Sequence, residues 1–314
     1  MTTPATQLGS VHPLSEAFRY INLYVDQASP HVLIVALSRP RKRNALNSRL
    51  WKEIGQVFNQ VGRTEPFSTV RSVLLVGEGK AFCAGIDNMD ASFFPKTPAM
   101  KRLLGEADSN QDETYDAARV GLKFLPLLRD MQACFTALEQ CPVPVVAAIH
   151  GSCIGAGIDL VTAADVRLAT ADSTWSVREV ALGLAADVGT LQRLPKICGN
   201  QAWVRTVCLT GRNFDGKEAL DQGLVTGQSY ASKEEVWNAG LELCRTIARH
   251  CPVAVRGTKQ SLVYSRDHSV KEGLEHIAAY NMLALQSPQM IEGVQAGLTG
   301  QKPRYRDIPA SSRL

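Results

Sequence analysis

Short apolar runs, bounded by small or polar residues, recur along the first half of the chain. Tyr20 to Leu37 is rich in Val, Ile and Leu and alternates in part, which predicts two strands. Val70-Arg-Ser-Val-Leu-Leu-Val76 is strand-like, and Val143-Pro-Val-Val-Ala-Ala-Ile-His150 is short and apolar, as a buried strand is. Between them the period lengthens. Leu50, Ile54, Val57 and Val61 share one face of a helix predicted over Ser48 to Val61, with Asn47 as its cap. Leu128, Met131, Phe135 and Leu138 do the same for Leu125 to Cys141, with Pro126 in the first turn. Further helices are predicted over Ile158 to Leu168, Thr190 to Ile197 and Gly216 to Gln222, with a short returning strand at Gly223 to Thr226. From Glu234 the pattern is helical: Glu234 to Val270, broken at Pro252, then His276 to Leu285 and Met290 to Leu298.

Two of these strands run into turns of small residues. After His150 the chain reads Gly-Ser-Cys-Ile-Gly-Ala-Gly, so Gly155, Ala156 and Gly157 open the next helix. The first N–H groups of a helix lack partners, and the positive end of the dipole lies behind them. Small side chains let a ligand oxygen come close to that backbone, which suits an oxyanion. The same residues also suit an ordinary glycine-rich turn. Leu160 stands where a dinucleotide-binding fingerprint needs its third glycine. The second turn lies in Gly77-Glu-Gly-Lys-Ala-Phe-Cys-Ala-Gly-Ile-Asp-Asn-Met-Asp90, at Ala84-Gly85. Two such turns can each give one N–H to a single carbonyl oxygen.

Three carboxylates, Asp159, Glu179 and Asp187, follow among small and apolar neighbours. An acid in such surroundings finds a partner, shifts its pKa, or costs the fold several kcal/mol, as an order of magnitude. Three in one short stretch point to proton chemistry. Each also has a structural reading: Asp159 as a first-turn acid, Glu179 as a surface acid, Asp187 as the N-cap of the helix at Thr190.

Together the paired turns resemble the crotonase, or enoyl-CoA hydratase/isomerase, superfamily over roughly residues 30 to 300. The runs Cys153 to Arg167, Gly183 to Lys196 and Ser261 to Val270 are most similar to its dienoyl-CoA isomerase branch. The resemblance implies an α/β fold, a crotonase (ClpP/crotonase-like) spiral of β-β-α units with a C-terminal helical trimerisation region. It implies an arm over residues 1–20, a core over 21–250, helices over 251–300 and a tail over 301–314. It implies an acyl-CoA thioester oxygen held between the N–H groups of Ala84 and Ala156, with Gly85, Ile86, Asp87 and Asn88 in the same substrate-binding turn. Asp159, Glu179 and Asp187 then line the active site. Glu179 takes a proton from carbon 2, Asp187 delivers one to carbon 6, and Asp159 orients or tunes the pair. Ala156 departs from the usual Gly, and Asn88 from a usual Leu. Arg41, Lys42 and Arg43, in the basic run Arg39 to Arg43, are implied contacts for the CoA phosphates, as is Lys259. Met89, Phe93 and Phe94 either line the acyl tail or pack a surface loop. Self-association as a trimer or hexamer is implied too.

Composition trims this picture. With 314 residues, 45% of them hydrophobic, the chain can bury a large core. A net charge of +4 suits an anionic ligand such as CoA and does not suggest nucleic acid. The eight cysteines form no CxxC pair and there is no His cluster, so a reduced compartment and no zinc site are expected. No metal and no cofactor is expected, CoA arriving with the substrate. No apolar run reaches the roughly 20 residues of a membrane span. Ser312-Arg313-Leu314 resembles the peroxisomal address Ser-Lys-Leu and would engage an import receptor, so a peroxisome-like organelle is expected rather than a mitochondrion. Gly211 to Glu218 imitates a phosphate loop without its Ser/Thr and reads as a turn. Two other functions remain open: an enoyl-CoA hydratase using Asp159 and Glu179, for which Asp187 is superfluous, and a non-catalytic acyl-CoA-binding protein.

Overall fold

The structure, a computed structural model, describes residues 9–93 and 116–310. Its centre is a six-stranded sheet in the order β1 (Ser10–Val11), β2 (Ile21–Val25), β3 (Val32–Leu37), β4 (Ser72–Gly77), β5 (Val145–Ile149) and β7 (Val166–Ala169). The first three are antiparallel. From β3 onward the strands run parallel, in the register Ile34–Leu74–Val146. The continuous apolar runs are explained by this placement, because parallel strands are covered on both faces. Leu33, Val35, Val73, Leu75 and Ala147 face one core, while Val32, Ile34, Leu74, Val76 and Val146 face another, the period of 2 dividing each strand between them. A three-stranded sheet, β6 (Ser152–Ile154), β8 (Thr174–Ser176) and β9 (Phe214–Asp215), stands beside it.

The first core is closed by α1 (Ser48–Gln60) and α2 (Ala117–Glu139). Asn47 caps α1, its side chain accepting from the Leu50 N–H at 2.9 Å. Trp51 joins the two helices: it is buried, stacks on Phe135 with ring centroids 4.4 Å apart, and donates to the Met131 carbonyl at 2.9 Å. Trp51→Phe removes that donor and some volume, and is expected to cost about 2 kcal/mol by urea denaturation. The second core lies under α7 (Lys233–Ala248), through Val236, Trp237, Leu241 and Cys244. The remaining helices are α3 (Ala156–Thr162), α4 (Thr190–Ile197), α5 (Gln201–Thr210), α6 (Gly216–Asp221), α8 (Pro252–Ser265), α9 (Val270–Ala284) and α10 (Pro288–Thr299). Among the described residues, no helix is long and apolar enough to cross a membrane.

Several expectations change. The helix expected over 158–168 stops at Thr162, and its far end is strand β7. The helix expected from Leu125 begins at Ala117, capped by Asp116, so Pro126 lies inside it. Residues 223–226 form no strand; the Leu224 N–H bonds back to Ala219. Within the arm expected over 1–20, the described part is fastened to the core: β1 pairs with β2 and the His12 N–H bonds to Leu23. Part of the C-terminal tail is also fastened: Arg71 bonds the Tyr305 carbonyl at 2.7 Å and pairs with Asp307. Phe94 and the tripeptide Ser312-Arg313-Leu314 lie outside the described residues.

Candidate active site

The site forms where β4 and β5 end. Beyond them, Cys83 and Cys153 pair as a single parallel bridge: the Cys83 N–H donates to the Ser152 carbonyl and the Ile154 N–H to the Cys83 carbonyl, at 2.9 and 3.0 Å. This bridge locks the two small-residue turns side by side. Gly85 makes its turn at φ +91, and a Cβ there would sit 3.0 Å from the Ile154 carbonyl oxygen, so glycine is what lets the turns close.

The donors in these turns differ from those expected. The Ala84 N–H is spent on the Arg43 carbonyl at 3.0 Å, so Ala84 does not supply an oxyanion donor. Leu46 pairs with Ile86 and takes up the Gly85 carbonyl and the Asp87 N–H. The Ile86 N–H is left with no acceptor among the described residues. On the other side, the Ala156 N–H, first in α3, is likewise without one. Ile86 and Ala156, one from each turn and both lining the cavity between them, are therefore candidates to donate to one oxygen. Asp87 also departs from expectation: its side chain forms an ion pair with Arg39 at 2.9 Å and braces the turn.

The free N–H groups border a cavity of about 410 Å3, lined chiefly by Ile86, Phe93, Leu128, Met131, Leu182 and Leu184. Ala84, Gly85, Asn88 and Ala156 line it too, with Glu179 and Asp187 as its acids and Arg178 its cation. Phe93 thus faces the cavity as one of its two readings held, whereas Met89 is 84% exposed and is absent from the lining. Arg178, Leu182 and Leu184 were not anticipated; the 3-10 turn Glu179–Leu182 that brings them in has no hydrophobic period to announce it.

The three acids are gathered here in graded burial. Asp159, on α3, is fully buried behind the cavity; its Oδ1 accepts the Thr190 N–H at 2.5 Å, and Oδ2 has no partner among the described residues. It thereby serves the first N–H of α4, whose N-cap is Gly189 rather than Asp187. Burial, and after it the charge of Glu179, pushes the Asp159 carboxyl up to about 7. Glu179 is nearly buried, Oε2 is unpartnered among the described residues, and burial followed by the Asp187 charge raises its pKa. Asp187 is exposed at the cavity rim, and partial loss of water raises it as well. Gly155 keeps Glu179 in place: at φ +51, a Cβ there would lie 3.2 Å from Glu179 Oε1. Gly155→Ala is expected to lower kcat about 10- to 100-fold and to cost about 1–3 kcal/mol of backbone strain, read by steady-state kinetics and thermal melting.

The outer contacts separate in the same way. Arg41 and Lys42 are exposed on the loop that pairs with the Ile86 turn, open to a phosphate. Lys259 is not: it is buried, with Nζ 2.7 Å from Asp165 and 3.1 Å from the Val143 carbonyl, and so it pins α8 to the sheet instead of meeting CoA.

Two free N–H groups facing a cavity that holds acids of raised pKa define a class of protein: one that stabilises an oxyanion and moves protons beside it. The sequence profile described as Enoyl-CoA hydratase/isomerase matches residues 27–107 and 127–307. A mouse protein, the mitochondrial Delta(3,5)-Delta(2,4)-dienoyl-CoA isomerase of Mus musculus, is 43% identical over 279 residues, covering 89% of this chain and 80% of its own. The peroxisomal Delta(3,5)-Delta(2,4)-dienoyl-CoA isomerase of Arabidopsis thaliana is 35% identical over 293 residues, 93% of this chain and 99% of its own. Among solved structures, an enoyl-CoA hydratase from Bacillus anthracis superposes with a TM-score of 0.75 at 25% identity, covering 91% of this chain and 99% of that one. The chain belongs to the enoyl-CoA hydratase/isomerase family and has the crotonase fold.

Proposed function

We propose that this enzyme isomerises a 3,5-dienoyl-CoA to the 2,4-dienoyl-CoA. The observation that carries the reading is the third acid. Asp187 reaches the same cavity as Glu179, and relatives that are 43% and 35% identical are named for this reaction. The thioester oxygen lies between the N–H groups of Ile86 and Ala156, which stabilise the charge that develops on it, each donor typically worth about 3 kcal/mol. Glu179, as a carboxylate, removes a proton from carbon 2. The electron pair shifts along the diene, and protonated Asp187 gives a proton to carbon 6. Asp159 stays behind the pair, where its own charge state sets the field that Glu179 feels. The apolar wall from Phe93 to Leu184 takes the acyl chain, and Arg41 and Lys42 are placed for the CoA phosphates. No cofactor beyond the CoA of the substrate enters the proposal.

The test is an ultraviolet assay with a 3,5-dienoyl-CoA, in which the longer-wavelength band of the conjugated 2,4-dienoyl thioester must grow. Failure of that band with hydration of a 2-enoyl-CoA would make the protein a hydratase. Silence with both, alongside thermal stabilisation by acyl-CoA, would make it a binding protein.

The reading includes self-association. The helices α9 and α10 expose Leu274, Met282, Leu283, Ile291, Val294 and Leu298, an apolar face of the kind that mates with another copy. Sedimentation is expected to give a trimer or a multiple of it; a monomer at micromolar concentration would remove this part. A peroxisome-like compartment is also proposed, on the tripeptide Ser312-Arg313-Leu314. Relatives are named both mitochondrial and peroxisomal. A fluorescent fusion with and without the tripeptide decides between them.

A further inference from the structure

The three acids differ in what they open on. Asp159 is sealed, and Glu179 is nearly so. Asp187 lines two cavities. One is the apolar cavity already described; the other is an open, polar cavity of about 680 Å3 that shares no other lining residue with it. The walls of the second are Gln132, Thr136, Glu139, Arg193, Lys196 and Arg266. They are built into the fold. Gln132 Nε2 donates to the Asp187 carbonyl at 2.7 Å, holding the loop that carries the acid. Arg193 donates to Glu139 at 3.0 Å and to Thr136 at 3.2 Å, and Arg266 pairs with the same Glu139. Burial alone would raise the Glu139 carboxyl; the two guanidiniums overcome it and hold the group below its ordinary value, so it stays charged and holds no proton of its own near neutrality.

An acyl chain in the apolar cavity displaces water from that side of Asp187. Each turnover takes one proton from Asp187 and leaves one on Glu179. The cycle closes either by return of that proton from Glu179 to Asp187 inside the site, or by exchange of both acids with water. We infer that the polar cavity is the water side of Asp187, and that the proton delivered to carbon 6 comes from solvent through it and not from carbon 2. The inference rests on the isomerase reading. The balance is simple. The carbon 2–hydrogen bond breaks and its proton goes to Glu179. The electron pair moves through the diene, and a carbon 6–hydrogen bond forms with the Asp187 proton. Asp187 then takes a proton from water in the polar cavity, and Glu179 gives one to water as the product leaves. No net proton is gained or lost.

The test uses the wild-type enzyme in ordinary water and a 3,5-dienoyl-CoA deuterated at carbon 2. Growth of the ultraviolet band reports turnover, and mass spectrometry with proton NMR reads the isotope at carbon 6. The expected product carries no deuterium at carbon 6. Deuterium found there means internal return and overturns the inference while leaving the isomerase reading intact. If the band does not grow, the reading itself fails and the inference falls with it. A second variant tests the route. Gln192 is exposed on α4 and lines the polar cavity. Gln192→Trp narrows that cavity without touching the acyl side, and is expected to bring deuterium into carbon 6 and to slow multiple turnover. Unchanged rate and unchanged isotope content in a folded Gln192→Trp protein would remove the polar cavity from the path.

Discussion

Glu179→Gln should lower the isomerase rate by about 10² to 10⁴, the usual contribution of a positioned general base. Gln keeps the shape of Glu, and the Oε2 atom it replaces has no partner among the described residues, so the loss reflects a missing base and not a lost contact. Thermal melting should show the variant no less stable than wild type, because a carboxyl raised by burial is a cost to the fold when charged. Asp187→Asn should be as damaging to isomerisation and should spare any hydration of a 2-enoyl-CoA, since only the diene shift needs the second acid. The ultraviolet assay checks both. Wild-type activity in either variant would remove that residue from the proton path.

Asp159 yields a large effect of a different kind, on stability. Its ordinary value is 3.8 and its folded value about 7. Between those values the folded chain keeps a proton that the unfolded chain has lost. Unfolding therefore releases a proton, and stability falls as pH rises through this window, levelling off above about 7. The shift corresponds to about 4 kcal/mol as an upper limit. Asp159→Asn carries no charge at any pH, and its side-chain oxygen can still accept the Thr190 N–H. Urea denaturation at pH 5 and pH 8 should show a clearly smaller difference for the variant than for wild type. Some slope will remain, because Glu179 and Asp187 are also raised and act with the same sign. Equal slopes in the two proteins would mean that Asp159 is charged in the fold already at pH 5.

Much of this is legible in the sequence. The strand β5 is buried on both faces, and its short apolar run announces that. Asn47 capped the helix it was expected to cap, because an Asn ahead of an amphipathic run has one local job. The three acids stood out by their apolar neighbours, and burial raised all three. What escaped was decided by distant contacts. Whether Ala84 or Ile86 offers its N–H depends on a carbonyl at Arg43, about forty positions away in the chain, that claims one of them. Lys259 looked available for a phosphate until Asp165 and the Val143 carbonyl took it. Pro126 suggested a helix start because proline favours the first turn. Asp116 supplied a better one ten residues earlier, and the helix absorbed the lost N–H on a largely exposed stretch.

The bridge between Cys83 and Cys153 has a consequence for how such a protein can change over generations. It binds the two N–H donors into one frame, so neither can drift without the other. The acids are not part of that frame: they sit on a short helix, a 3-10 turn and a loop. Mutation can therefore exchange, add or remove an acid while the frame keeps the two turns in register. A lineage built this way inherits its grip on the substrate and is free to rewrite what it does to the carbon chain.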